Sequence, residues 1–194
     1  MLRLALTGSI GMGKSTTTGM FAEEGVPVWE ADAAVHRLYG PGGAGAEAIA
    51  ELAPAAVGPA GVDRDSLRAA ALEDPDLFAR IEAAIHPLVA ADRDAFLARA
   101  EAEGAAMALC DIPLLFETGG ETGFDRVIVV SAPEAVQRGR VLAREGMTEE
   151  AFARISARQV PDAEKRARAD HVIDIGQGIE IARAQVRALV ARLR

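Results

Sequence analysis

Eight residues near the start of the chain, GSIGMGKS (8–15), fit the pattern G-x-x-x-x-G-K-[ST]. That spacing suits one kind of chemistry. Glycines let consecutive backbone N–H groups point inward as an anion nest, a lysine reaches the β- and γ-phosphates of a nucleotide, and the next hydroxyl ligates Mg²⁺. Composition singles out Lys14 as well. Of 21 basic residues 19 are Arg, and the only other lysine is Lys165. Arginine carries a planar fork, whereas lysine is a compact ammonium on a thin stem, and a loop wrapped closely around phosphates has room for the second only. The bland alternative, a glycine-rich turn with an exposed lysine, sits badly with the strand and helix patterns on either side.

Further candidates lie along the chain. Asp32 follows a short apolar run and is either a base for an attacking hydroxyl or the N-cap of a helix beginning at Ala33. Asp111 ends another apolar run; it holds Mg²⁺ or opens the turn before Pro113. The segment 137–159 carries Arg138, Arg140, Arg144, Arg154 and Arg158 on a helical hairpin turning at Gly146. As a unit these read as a lid that closes over phosphate and shields its charge; singly, each reads more simply as a solvated surface cation. His86 precedes Pro87 at an expected break between helices, where a lone histidine is more often structural than catalytic.

Bulk properties narrow the class. The chain has 194 residues, half of them hydrophobic and 26% charged, which suits one well-buried core with a small appended subdomain. Net charge is −8. That balance argues against nucleic acid or an anionic membrane as main partner, while leaving room for a small phosphorylated ligand. Cys110 is the only cysteine, and His36, His86 and His171 lack metal-ligand spacing. No apolar run approaches the roughly 18 residues needed to span a bilayer, and nothing at the start reads as a signal peptide. The expectation is a cytoplasmic protein, monomeric or weakly homo-oligomeric.

The elements that must position these residues can be outlined. LRLALT (2–7) reads as a buried strand, 14–24 as a helix stopped by Gly25, and VPVWE (26–30) as a second strand. Residues 46–103 are Ala-rich and helical, with breaks expected around 54–61, at Asp74-Pro75 and at His86-Pro87. Strands are expected again at 106–112, 126–131 and 171–175, with helices at 133–145, 149–159 and 179–193 between and after them. This alternation predicts an α/β fold: a P-loop three-layer α/β/α parallel sheet with a helical insertion and a helical lid at about 137–160. The expected division is a nucleotide-binding core at 1–32 and 104–194 and a helical acceptor-binding subdomain at 33–103.

The chain resembles the bacterial dephospho-coenzyme A kinases. The resemblance rests on LTGSIGMGKST (6–16), EAD with a following Arg (30–37), the HP pair at 86–87 and DIPLLFE (111–117). It continues through VIVVSAPEAVQRGRVLARE (127–145) and RQVPDAEKRARADHVID (158–174). The loop is common to many NTPases, but DIPLLFE together with ADHVID is far more specific. The resemblance implies ATP and Mg²⁺ as cofactors and 3′-dephospho-coenzyme A as acceptor. It places ATP on Gly11, Met12, Gly13, Lys14, Ser15 and Thr16 and the catalytic roles on Lys14, Asp32 and Arg140, while the loop motif and the strand-end position put the metal on Ser15 and Asp111. Asp32, His86, Pro87, Leu114 and Leu115 would border the acceptor. Departures are Ser9 and Met12 in the loop, Glu145, and Ile175 after Asp174 where a small polar residue is commoner. A kinase for another small hydroxyl would share most loop and lid features, whereas a small GTPase would need an Asn-Lys-x-Asp motif for which no lysine is left.

Overall fold

The computed structural model describes all 194 residues. In chain order they form β1 (Leu2–Thr7), α1 (Lys14–Glu23), β2 (Val28–Glu30), α2 (Ala31–Leu38), α3 (Ala44–Leu52), β3 (Val57–Gly58), β4 (Gly61–Val62), α4 (Arg64–Glu73) and α5 (Pro75–Ala102). There follow β5 (Met107–Asp111), β6 (Arg126–Ser131), α6 (Glu134–Leu142), α7 (Glu149–Ser156), α8 (Asp162–Arg168), β7 (His171–Asp174) and α9 (Ile179–Leu193). The chain divides into two compact units, Met1–Trp29 with Arg99–Arg194, and Glu30–Ala98. No helix is long and apolar enough to cross a membrane.

The first unit is built on a sheet of order β2-β5-β1-β6-β7. The pairings β1–β5, β1–β6 and β6–β7 are parallel. Side chains alternate across the pleat, so each central strand feeds two layers. Leu4, Leu6, Ile128 and Val130 join Met20, Phe21, Val186 and Val190 of α1 and α9 in one core. Ala5, Val127 and Val129 pack on the other face with Leu115 and Phe116. A sheet covered on both faces reads as continuous apolar runs, which is why RVIVVS carries no polar alternation. In the register, Leu6 stands opposite Asp111 and Thr7 opposite Val129. The loop after β1 therefore leaves the sheet beside the carboxyl end of β5, at the edge where open α/β sheets bind ligands.

The second unit packs α2 to α5 around Ile49, Ala53, Ala56, Leu67, Leu77, Ile81 and Ile85. Asp63 caps α4, its carboxylate accepting from the Asp65 and Ser66 N–H groups at 3.0 and 3.3 Å. One sequence expectation fails here. The break at His86-Pro87 does not occur, because α5 runs unbroken for 28 residues with Pro87 inside it. An internal proline forfeits one hydrogen bond and costs about 3 kcal/mol. The stripe Leu77, Ile81 and Ile85 is buried on one core and Leu88 extends it past the proline. Three such side chains contribute about 5–9 kcal/mol on burial, so packing overrides the breaker. The region 54–61 is a 3₁₀ turn and the small β3–β4 hairpin.

Candidate active site

The loop 8–13 takes its shape from two glycines with positive φ, Gly11 at +76° and Gly13 at +84°. Neither has room for a side chain. A Cβ on Gly11 would overlap Val141 Cγ2, and one on Gly13 would lie 2.8 Å from Ile175 Cδ1. Gly13 is the N-cap of α1 and offers no side-chain cap, and the first turn of α1 holds no acidic residue. By contrast α4 has its Asp63 cap and α7 is capped by Thr148. The N–H groups of Gly11, Gly13, Lys14, Ser15 and Thr16 have no protein acceptor. An uncapped helix start with a row of free donors is an anion site. Lys14 folds back so that its Cγ lies over Gly8, and its ammonium has no carboxylate beside it. Ser15 and Thr16 are exposed on the first turn of α1.

Met12 differs from the other loop residues. Its side chain is buried in the core beneath β6, its sulfur accepts from the Ala132 N–H at 3.2 Å, and its own N–H donates to Ser9 O at 3.2 Å. The positive φ of the flanking glycines turns this one side chain inward, leaving Met12 no group with which to hold phosphate. The adjoining residue Ile10 is held at both of its backbone polar groups. Its N–H donates to Gln159 Oε1 at 3.0 Å, and its carbonyl accepts from Gln137 Nε2 at 2.8 Å.

Asp111 ends β5 and is 6% exposed, and its Oδ2 accepts the Thr18 hydroxyl at 3.1 Å. This bond ties the carboxylate to the second turn of α1. Asp111 is therefore the last residue of a buried strand, not the opening of the turn before Pro113.

The arginine hairpin sorts into two kinds. Arg138 is half exposed and pairs with Glu149, the solvated-face arrangement. Arg140 donates to Ile175 O at 3.2 Å, and its Nη1 lies 3.6 Å from where a Gly13 Cβ would stand. Arg140 thus places a cation against the open end of α1. Arg144 and Arg158 are exposed and form no ion pair. Ile175 packs its side chain inward and offers only its carbonyl to Arg140.

In the second unit, Asp32 lies in the first turn of α2, which begins at Ala31 with Glu30 as N-cap. The N-cap reading of Asp32 is therefore corrected: it is exposed and its carboxylate caps nothing. His86 and Pro87 are exposed positions within α5, with no turn at them. Of the leucine pair in the first unit, Leu114 is 46% exposed whereas Leu115 is fully buried under the sheet, so only Leu114 offers a side chain to a ligand.

Sequence reasoning passed over four residues that shape the site. Gln137 and Gln159 hold the loop, and glutamines 127 and 149 residues from Ile10 give no local signal. Glu117 and Lys165 form a buried pair, Nζ to Oε1 2.8 Å, with side chains 12% and 0% exposed. Glu117 Oε1 also accepts the Val160 N–H at 2.9 Å. Burial pushes the Glu117 carboxyl up, but the Lys165 ammonium and the Val160 N–H more than offset this and hold it below the usual carboxylate range. Lysine scarcity was the available signal for Lys165.

The family model described as dephospho-CoA kinase matches residues 2–180. A dephospho-CoA kinase of Cereibacter sphaeroides is 58% identical over 192 residues, covering 99% of this chain and 95% of that protein. One from Mesorhizobium japonicum is 57% identical over 194 residues, covering 100% and 98%. Among solved structures, TT1252 from Thermus thermophilus superposes with a TM-score of 0.84 at 32% identity, covering 100% of this chain and 98% of that one.

Proposed function

The chain belongs to the dephospho-coenzyme A kinase family, ATP-dependent kinases of the last step of coenzyme A synthesis, and from that membership we propose how its residues carry the reaction. The γ-phosphoryl of ATP passes to the ribose 3′-hydroxyl of 3′-dephospho-coenzyme A. The 3′-oxygen bonds to Pγ, the bond from Pγ to the β,γ-bridging oxygen breaks with its electron pair going to ADP, and the hydroxyl proton leaves to a carboxylate. The observation that carries this reading is the α1 N-terminus, uncapped and free of acidic residues, with Lys14 on the loop and Arg140 beside Gly13.

The transition state is loose, with charge spread over the equatorial oxygens, so the protein's work is alignment and charge stabilisation. Backbone N–H groups from Gly11 to Thr16, Met12 excepted, hold the phosphates, Lys14 bridges β and γ, and Arg140 shields the group in flight. Asp32 takes the proton; its support is an exposed carboxylate with no role in capping α2. Ser15 and Asp111 would hold Mg²⁺, and one hydroxyl with one carboxylate fits an ion that keeps most of its sites for phosphate and water. When bound, Mg²⁺ supplies further neutralisation of phosphate charge. The helical unit, residues 33–103, receives the acceptor and offers His86 and Pro87 to it; Leu114 of the first unit is a further candidate contact. The same reading makes this a cytoplasmic enzyme, monomeric or weakly homo-oligomeric, with no nucleic-acid partner.

Asp32→Asn tests the base. A positioned base contributes about 10²–10⁴-fold, so kcat falls by that factor while MgADP affinity stays at the wild-type value. Near-normal turnover in Asp32→Asn refutes the assignment.

A further inference from the structure

Two glutamines stand at the two ends of the lid segment, and both reach the backbone of one residue of the phosphate loop. Gln137 lies on α6, one turn before Arg140. Gln159 follows Arg158, three residues beyond the end of α7. Gln137 Nε2 donates to Ile10 O at 2.8 Å, and Gln159 Oε1 accepts from Ile10 N at 3.0 Å. The chemistry of the peptide fixes which amide atom must face it, a donor at the carbonyl and an acceptor at the N–H. Gln137 is 9% exposed, so its amide would lose hydrogen bonding outright if the Ile10 carbonyl turned away.

The Gln159 end has its own anchor. The next residue, Val160, donates its N–H to Glu117 Oε1 at 2.9 Å, and that carboxylate is paired with the fully buried Lys165 at 2.8 Å. A strut therefore runs from a buried ion pair through 160 and 159 to the peptide that joins Ser9 to Ile10.

We propose that Gln137 and Gln159 are positioning residues of the nucleotide site: a two-sided amide clamp on the Ile10 backbone, one side chain on each of the two peptide groups that meet at its Cα, that sets the loop's N–H nest and fixes both ends of the lid against it. The proposal rests on reading the loop as the nucleotide site. Releasing the Ile10 backbone lets the segment before Gly11 rotate, and the donors of the nest lose their common focus. The clamp touches no acceptor, so it acts on nucleotide affinity and leaves acceptor affinity alone.

The test is titration of the full chain with MgADP for wild type, Gln137→Met, Gln159→Met and the double variant, methionine keeping the length of the side chain. One hydrogen bond of this kind corresponds to about 3- to 10-fold in affinity, and each single variant is expected to bind MgADP that much more weakly. In turnover the KM for ATP rises while the KM for dephospho-coenzyme A is unchanged, which a general loss of structure would not produce. Because both side chains hold the backbone of one residue, the double variant falls short of the product of the two single losses. Gln159→Glu keeps an acceptor for the Ile10 N–H, whereas Gln137→Glu sets a carboxylate against the Ile10 carbonyl. The two variants add the same charge, and Gln159→Glu is expected to bind MgADP more tightly. Unchanged MgADP affinity in both methionine variants, strictly multiplicative losses, or equal affinity of the two glutamate variants overturns the clamp. MgADP titration involves no acceptor, so a failure of the acceptor reading shows separately, as wild type that binds MgADP but does not phosphorylate dephospho-coenzyme A.

Discussion

Lys165→Met removes the cation from the driest ion pair in the protein. In the wild type the Glu117 carboxylate accepts from Lys165 Nζ at 2.8 Å and from the Val160 N–H at 2.9 Å, with side-chain exposures of 12% and 0% for the pair. Without the ammonium, a nearly dry carboxylate keeps only backbone N–H groups for partners. Breaking such a pair from one side costs about 3–5 kcal/mol. For a chain of this size that lowers the melting temperature by roughly 6–20 °C. The pH dependence has a definite sign. In the wild type Glu117 titrates below its ordinary value, so its contribution is complete above about pH 4.3 and is lost as pH falls through the lower folded value. In Lys165→Met burial is opposed only by the Val160 and Glu117 backbone N–H groups, the folded pKa of the carboxyl rises, and part of the deficit is recovered as pH falls toward 5. Adding Glu117→Gln keeps an acceptor for Val160 and removes the stranded charge, so the double variant recovers most of the loss. Urea unfolding of the wild type, Lys165→Met and the double variant at pH 7 and pH 5 reads all of this. A cost under about 1 kcal/mol for Lys165→Met at pH 7 would refute the buried pair as the anchor of residue 160.

Gly11→Ala must adopt φ near +76° and meet Val141 Cγ2, a strain of about 1–3 kcal/mol, and should show both a lower melting temperature and weaker MgADP binding. Arg138→Ala removes an exposed pair with Glu149 worth less than about 1 kcal/mol and should leave kcat near wild type, whereas Arg140→Ala should lower it; equal effects would contradict the sorting of the hairpin. Burial, then the Arg192 and Arg126 guanidiniums, hold the His171 imidazole below its usual value despite Asp170. The unfolded chain therefore takes up that proton first, and stability should fall as pH drops below about 6.5. His171→Gln should flatten that slope in urea midpoints measured from pH 5 to 7.5.

What the sequence disclosed was local. Strand, glycine loop and helix at 2–23 and the apolar runs of β5 and β6 are short-range patterns, and the structure keeps them. Pro87 misled because the stripe Leu77, Ile81 and Ile85 closes a core assembled from residues as distant as Ile49, and no window around the proline shows that. The helix α8 was overlooked because PDAEKRAR has no apolar stripe; its one buried side chain is Lys165. Asp32 was readable as a residue after a strand, but the start of α2 at Ala31 decided against the capping role. The grip of Gln137 and Gln159 on Ile10 was illegible, since an amide side chain announces nothing until the fold brings its partner within 3 Å.

The central claim is that the phosphate held at Lys14 goes to the 3′-hydroxyl of dephospho-coenzyme A. It is tested most directly by incubating the protein with MgATP and, separately, dephospho-coenzyme A, AMP or shikimate, following ADP release and the phosphorylated product. The expected result is ADP formed in step with coenzyme A from the first acceptor, and only slow release with the other two or with none. ADP release with AMP or shikimate as fast as with dephospho-coenzyme A, or equal release with no acceptor present, would contradict it.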